Sequence, residues 1–212
     1  MIQKRIKVEV LENEPTNCYI VEDEITKETL VIDPGGEVQK IIELLEAIKA
    51  KVKYIYLTHC HADHTAGVNA LREYTGAKVL IHRADKEGLA DDRISLATYI
   101  GLAEFNIKNV FRVDDGDIMH IGNLKLEVIH TPGHTKGGSS LYCKQEKMVF
   151  TGDTMFRGTW GRTDLPTGSL EQIMFSITNK LLKLEDDTIV YPGHGKSTMI
   201  REERPIYEDL SP

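Results

Sequence analysis

Five of the eight histidines fall in turns that directly follow apolar runs, and those turns also hold aspartates. His59, His61, Asp63 and His64 crowd into Thr58-His59-Cys60-His61-Ala62-Asp63-His64, behind the run Lys53 to Leu57. His134 follows Leu124 to Ile129 within Thr131-Pro132-Gly133-His134, and Asp153 follows Met148 to Thr151 within Gly152-Asp153-Thr154. His194 follows Thr188 to Tyr191 within Pro192-Gly193-His194-Gly195. A neutral imidazole offers one lone pair and a carboxylate offers hard oxygens, a donor set that suits zinc, iron or manganese. Nothing structural asks for three imidazoles around one aspartate. In extended chain, side chains two apart share a face, so His59 and His61 can grip one ion. Asp63 and His64 come after the chain turns and can reach another. Seven candidate ligands fit two divalent ions per chain better than one, with Zn2+ expected and Fe or Mn as alternatives. Asp153, with two oxygens, is the natural bridge.

The neighbours of these residues have plainer roles. Pro132 and Pro192 fix sharp turns, and the missing side chains of Gly133 and Gly193 leave room near the site. Cys60 should point opposite to its two histidine neighbours and pack. His82, His120 and His130 read as ordinary surface or core residues. Lys136 and Trp160 are candidates for the substrate mouth.

Positioning such a set requires strands that end on one rim. In open α/β sheets, ligands collect beyond the carboxyl ends of the strands. Short strands are expected at Lys7 to Leu11, Cys18 to Val21, Thr29 to Ile32 and Lys53 to Leu57, and again at Lys78 to Ile81. A second series is expected at Ile118 to Ile121, Leu124 to Ile129, Ser140 to Cys143, Met148 to Thr151 and, last, Thr188 to Tyr191. Gly122-Asn123 is a two-residue hairpin turn by composition. Val38, Ile41, Ile42, Leu45 and Ile48 fall at helical spacing, and a short helix should run from Thr65 to Tyr74. Ala84 to Asn106 reads as two short helical pieces. A clear helix starts at Ser169, with Gln172 placed for a capping box and Leu170, Ile173, Met174, Ile177 and Leu181 forming its core face. The pattern predicts one domain over residues 1–212, with helices covering sheets.

Composition limits the function classes. With 41% hydrophobic and 28% charged residues the chain is that of an ordinary globular protein. No apolar run reaches the roughly 18 residues of a membrane span. The formal net charge is −7 and no dense Lys/Arg run occurs, which argues against a nucleic-acid partner. The segment Met1 to Leu11 mixes charges into its apolar positions and reads as a first strand, not a secretory signal. Cys18, Cys60 and Cys143 are an odd, scattered set that does not suggest a disulfide framework. Together these features point to the cytoplasm, with the oligomeric state unreadable.

The run His59-Cys60-His61-Ala62-Asp63-His64, followed by His134, Asp153 and His194, resembles the metallo-β-lactamase fold superfamily over nearly the whole chain. The resemblance implies an α/β fold, a four-layer αββα sandwich of two mixed sheets flanked by helices. It implies His59, His61 and His134 around one ion, Asp63, His64 and His194 around the other, and Asp153 between them. Gly152-Asp153-Thr154-Met155-Phe156 and Gly161-Arg162-Thr163-Asp164 resemble the glyoxalase II (hydroxyacylglutathione hydrolase) branch. Arg162 matches a position where that branch often places a basic residue near the glutathione carboxylate. Asp164, however, stands where glyoxalase II proper carries an aromatic contact. Only 18 residues follow His194, so the likeness is to the short glyoxalase II-like hydrolases. Asp153 in place of Cys argues against the common zinc β-lactamases.

The expected reaction is hydrolysis of a small-molecule acyl thioester of the S-2-hydroxyacylglutathione type. A water held between two ions is hydroxide near neutral pH, and Asp63 would act catalytically by orienting it and taking its proton. Arg162 would bind substrate. The alternative is a persulfide dioxygenase of the same superfamily, with one Fe(II) on His59, His134 and Asp153. A non-catalytic metal module is disfavoured, because structural sites are usually closed by four ligands.

Overall fold

Alternation along β2 (Glu14–Glu22) sets the layering, because its successive side chains enter different cores. Cys18 and Ile20 are buried on one face, while Tyr19 and Val21 are buried on the other. The computed structural model describes residues 2–11, 14–102 and 105–208. Met1 of the first expected strand and residues 103 and 104 of the 84–106 segment lie outside the described residues, as do residues 209–212.

The first sheet runs β1-β2-β3-β4-β5-β6, with β1 (Ile2–Leu11), β3 (Glu28–Ile32), β4 (Lys51–Leu57), β5 (Lys78–His82) and β6 (Phe111–Val113). The β1/β2 and β2/β3 pairs are antiparallel, whereas β3/β4, β4/β5 and β5/β6 are parallel. The second sheet contains β7 (Ile118–Ile121), β8 (Leu124–His130), β9 (Ser139–Cys143), β10 (Met148–Gly152), β13 (Ile189–Pro192) and β14 (Thr198–Met199). Its order is β14-β13-β10-β9-β8-β7, with β10/β13 the parallel pair among antiparallel neighbours. A small hairpin, β11 (Met155–Phe156) with β12 (Thr159–Trp160), leaves the second sheet just after Asp153.

Three apolar clusters make the four layers. Tyr19, Leu30, Ile32 and Tyr56 of the first sheet meet Leu126, Val128, Leu141 and Phe150 of the second between the sheets. On the outer face of the first sheet, Val31, Ile55 and Leu57 take up Ile41 and Leu45 of α1 (Val38–Ala47) and Val68 and Leu71 of α3 (Val68–Thr75). On the outer face of the second, Tyr142, Val149 and Val190 pack on α5 (Leu170–Asn179) and α6 (Ile200–Glu208) through Ile173, Ile177, Ile200 and Tyr207. The architecture is the αββα sandwich, with two mixed sheets. Among the described residues no helix is long and apolar enough to cross a membrane. The three cysteines are buried and free.

Several expectations need correction. The helix expected from Thr65 to Tyr74 is two pieces, α2 (Ala62–Thr65) and α3, broken where Gly67 donates its N–H to Pro34 O at 2.8 Å. The 84–106 segment is more fragmented than expected: a 3-10 turn over 83–90, then α4 (Asp92–Ser95), then a further 3-10 turn over 98–100. Leu170 is not core but 54% exposed, because Ile173 takes the packing position against Gly133 at the start of α5. Half of the expected capping box is found: Ser169 Oγ accepts from Gln172 N at 3.3 Å, a contact worth about 1 kcal/mol, but Ser169 N donates to Gly133 O at 2.8 Å. The strand expected to be last is followed by β14 and α6. A two-residue strand and a helix containing Pro205 carry too weak a periodic signal to read.

Candidate metal centre

All four strand ends that carry the ligand candidates meet at one rim. Behind β4, His61 occupies the N-cap position of α2 with extended backbone (φ −65°, ψ 143°), so Asp63 and His64 sit on the following turn. His134 rides on the loop between β8 and β9, Asp153 directly follows β10, and His194 follows β13. The structure brings His59, His61 and His134 together with donor atoms within 4.8 Å of one another, and likewise Asp63, His64 and His194. The Asp153 carboxylate lies between the two trios: Oδ2 is 3.5 Å from both His134 Nε2 and His194 Nε2, and Oδ1 is 3.3 Å from His64 Nε2. All seven side chains share one site.

Hydrogen bonds on the far side of the rings decide which nitrogen carries a lone pair. Thr58 Oγ1 donates to Asp33 Oδ2 at 2.6 Å, so it accepts from His59 Nδ1–H at 3.1 Å. That leaves His59 Nε2 as a lone pair, buried and without a hydrogen-bond partner. His134 Nδ1–H donates to Arg162 O at 2.8 Å and His64 Nδ1–H to Asp33 Oδ2 at 2.9 Å, freeing both Nε2 atoms toward the cluster. His61 Nδ1 approaches His134 Nε2 to 2.9 Å. Two acceptor nitrogens that close repel unless a proton or cation lies between them.

Electrostatics agree. Burial, reinforced by the charge of His64, holds His59 well below the usual imidazole range, and burial with His134 takes His61 down to about 3. Both rings are therefore neutral ligands at physiological pH. Burial also works against charge on His64, but the facing Asp63 and Asp153 outweigh it and hold His64 well above its usual value. Burial raises Asp153 and Asp63, yet the surrounding imidazoles win and both carboxyls lie below their usual range. Buried Asp153 and partly exposed Asp63, both anionic, beside the neutral rings of His59 and His61 are a set that selects divalent cations. The residues fit a pair of metal ions.

A metallo-beta-lactamase superfamily model matches residues 11–194. The chain belongs to that superfamily. Its relatives include hydroxyacylglutathione hydrolase GloC of Haemophilus influenzae, 33% identical over 190 residues, which span 89% of each protein. Among solved structures, BLEG-1 B3 metallo-beta-lactamase aligns with a TM-score of 0.90 at 31% identity, covering 100% of both chains. TTHA1623 in a di-iron-bound form aligns with a TM-score of 0.83 at 31% identity, covering 95% of this chain and 96% of that one.

Other residues of this superfamily member differ from expectation or escaped it. The Arg162 guanidinium is engaged by Asp164 through bonds of 2.8 and 2.7 Å, and that contact pulls the Asp164 carboxyl down to about 2. The main-chain oxygen of Arg162, in contrast, holds His134. Gly133 does not open space at the candidate ligands, since its missing side chain admits the backbone of Ile173. Trp160 packs toward Tyr207 (ring centroids 6.1 Å apart), whereas Lys136 is exposed. Phe156, read in the sequence only as part of the 152–156 motif, sets its ring edge-on to His194 at 6.0 Å. Cys60 is buried in the first apolar cluster.

Two unexpected aspartates support the ligands. Asp33 serves Thr58 and His64 as above; lying at the end of β3, it was visible to the same strand-end rule. Asp85 is buried and accepts from Cys60 N (3.1 Å), Thr135 Oγ1 (2.6 Å) and Gly137 N (2.7 Å), tying the loops of His59, His61 and His134 together.

His82 and His130 lie outside the cluster and stack on each other, with centroids 3.9 Å apart and planes 11° off parallel. Burial, and then the charge of His130, lowers His82 from 6.5 to about 4. A folded-state imidazole held below its unfolded value stays neutral while the unfolded chain takes up protons. The stability this confers is complete above about pH 6.5 and is lost as pH falls toward 4. His82→Asn, which keeps an acceptor for Ala84 N, is therefore expected to flatten the pH dependence of unfolding free energy between those limits. Urea titrations of chelator-treated protein test this, and parallel curves for the two proteins refute it.

Proposed function

We propose that this protein is a metal-dependent hydrolase that cleaves small acyl thioesters of the S-2-hydroxyacylglutathione type, with two divalent cations, Zn2+ foremost, per chain. The observation that carries the reading is the pair of candidate ligand trios that meet at Asp153 on one rim of the sheets. Similarity to GloC, a hydroxyacylglutathione hydrolase, supports the substrate class.

His59, His61 and His134 would hold one cation, Asp63, His64 and His194 the other, and Asp153 both. When bound, the cations supply Lewis acidity at the acyl carbonyl and a water acidified to roughly neutral pKa. Asp63 is ionised and partly exposed, so its carboxylate can orient the attacking water and accept its proton. A thiolate leaves with little need for protonation, so no separate general acid is required. Phe156 offers an apolar wall beside His194. Arg162 would bind a substrate carboxylate by exchanging it for Asp164, and exposed Lys136 and Lys196, each two residues beyond a ligand histidine, favour an anionic substrate. Nothing in this reading calls for a nucleic acid or membrane partner, and a cytoplasmic setting suits it.

Two other readings have specific support. The overlap with BLEG-1 favours β-lactam hydrolysis. A single Fe(II) on His59, His134 and Asp153 would favour persulfide oxidation, but it would leave Asp63, His64 and His194 without a task. Zn2+-, Fe2+- and Mn2+-loaded protein should be assayed on S-D-lactoylglutathione, a chromogenic cephalosporin and glutathione persulfide with oxygen monitoring. Metal-dependent thiol release from the thioester is the expected result. Its absence, with turnover of either other substrate, overturns the proposal.

A further inference from the structure

The site is assembled across the sandwich. Asp63 and His64 come from the first sheet's rim, whereas His194 comes from the second, so their distances depend on how the sheets register. Buried side chains of β2 cross that gap at His194, and one of them spans the whole loop. Asn17, fully buried on β2, donates one hydrogen of its carboxamide to Pro192 O at 2.9 Å and the other to Gly195 O at 3.0 Å. Its main-chain N–H donates to Gly193 O at 2.7 Å, and Thr16 bridges to His194. The carboxamide thus grips both ends of Pro192-Gly193-His194-Gly195. Beyond these bonds the loop is tied by Gly193 N to Gly152 O and by the Tyr19 hydroxyl to Pro192 O. Gly195 sits at φ +74°, a left-handed conformation that glycine adopts without steric cost, and its carbonyl is held there by Asn17.

The other trio has its own cross-sheet ties. Ser139 N donates to Thr58 O, and Asp85 joins Cys60 to Thr135 and Gly137. None of these passes through Asn17. Asp33 serves both halves through Thr58 and His64, whereas the Asn17 carboxamide acts on the His194 loop.

We infer that Asn17 is a positioning residue for His194, setting the divalent-cation affinity of the Asp63, His64 and His194 half while leaving the His59, His61 and His134 half unaffected. This rests on the two-cation reading above. Removing an outer partner of a metal ligand typically costs roughly 10- to 100-fold in affinity. That loss should fall on one equivalent only.

The test is Zn2+ titration of the metal-free full-length protein against a chromophoric chelator. Wild type should take up two equivalents. Asn17→Ala should keep one at wild-type affinity and bind the second about 10- to 100-fold more weakly. In a His194→Ala background the same substitution should add nothing, because its effect runs through that ring. Ile20→Val, a core truncation on the same strand, should weaken neither equivalent, which separates positioning from general loosening. Asn17→Ser retains one donor and serves where alanine impairs folding, with a smaller loss of the same kind. Two wild-type-like equivalents in the Asn17 variants, or equal weakening of both, overturns the inference while the two-cation reading stands. A wild-type protein that binds a single equivalent overturns both.

Discussion

Replacing Asp153 with alanine is expected to lower kcat/KM for the thioester by at least roughly a thousandfold and to leave less than one tightly bound metal equivalent per chain. The estimate exceeds the ~10- to 100-fold typical of an outer partner because Asp153 is common to both trios. Its oxygens lie 3.3 to 3.5 Å from His64, His134 and His194, so its removal withdraws a donor from each half at once. It also removes the anion that, with Asp63, sustains positive charge on His64 and His194. That charge belongs to the metal-free site, since a protonated imidazole has no lone pair to offer, so the loss of metal comes from the missing carboxylate oxygens and their negative charge. Asp153→Asn separates the two contributions, since it keeps shape and one neutral oxygen; its metal loss should be smaller but its activity loss comparable. Metal content by elemental analysis alongside kcat/KM checks both. Two retained equivalents in the alanine protein would show that Asp153 bridges nothing.

The clustered candidate ligands were legible because the rule that exposes them is physical and local. An apolar strand followed by a turn delivers its next side chains to the sheet's carboxyl edge, and His59, His134, Asp153 and His194 all obey it. Asp33 obeys it too, but a single aspartate in Asp33-Pro34-Gly35-Gly36 looks like ordinary turn chemistry. Asn17 carried no such signal, and Asp85, three residues beyond β5, reads as part of the helical piece that starts there. Asn17 matters only because a loop 175 residues away comes to rest on it, and Asp85 because two loops 25 and 50 residues away do. The sandwich itself was expected from resemblance more than from periodicity, since the buried run at β9 and β10 does not say which sheet it joins. Leu170 shows the opposite failure. Its spacing is correct for the core stripe of α5, but the first turn of a helix can overhang what the later turns bury.

Gly193→Ala is expected to reduce kcat/KM by at least about a hundredfold in a protein that still folds. The backbone there does not have a positive φ, so alanine is conformationally acceptable and the cost is one of space. A methyl at this position would collide with Asp153 Oδ1, sit 2.6 Å from His64 Cε1 and 3.1 Å from the Gly152 carbonyl carbon. Two of the three, His64 and Gly152, cannot readily give way. His64 is pinned by Asp33, Gly152 O accepts from Gly193 N at 2.7 Å, and Gly193 O accepts from Asn17 N at the same distance. The collision must therefore be relieved by moving the carboxylate away from the imidazoles, which spreads both trios. Gly195→Ala is the informative contrast. Its Cβ would meet nothing, but its φ of +74° costs an L-residue about 1 kcal/mol, so stability should fall slightly while metal stoichiometry holds. Thermal unfolding, metal content and kcat/KM measured on both variants distinguish the cases. Wild-type activity in Gly193→Ala would mean that Asp153 has room to move without consequence, which a carboxylate shared between two cations does not.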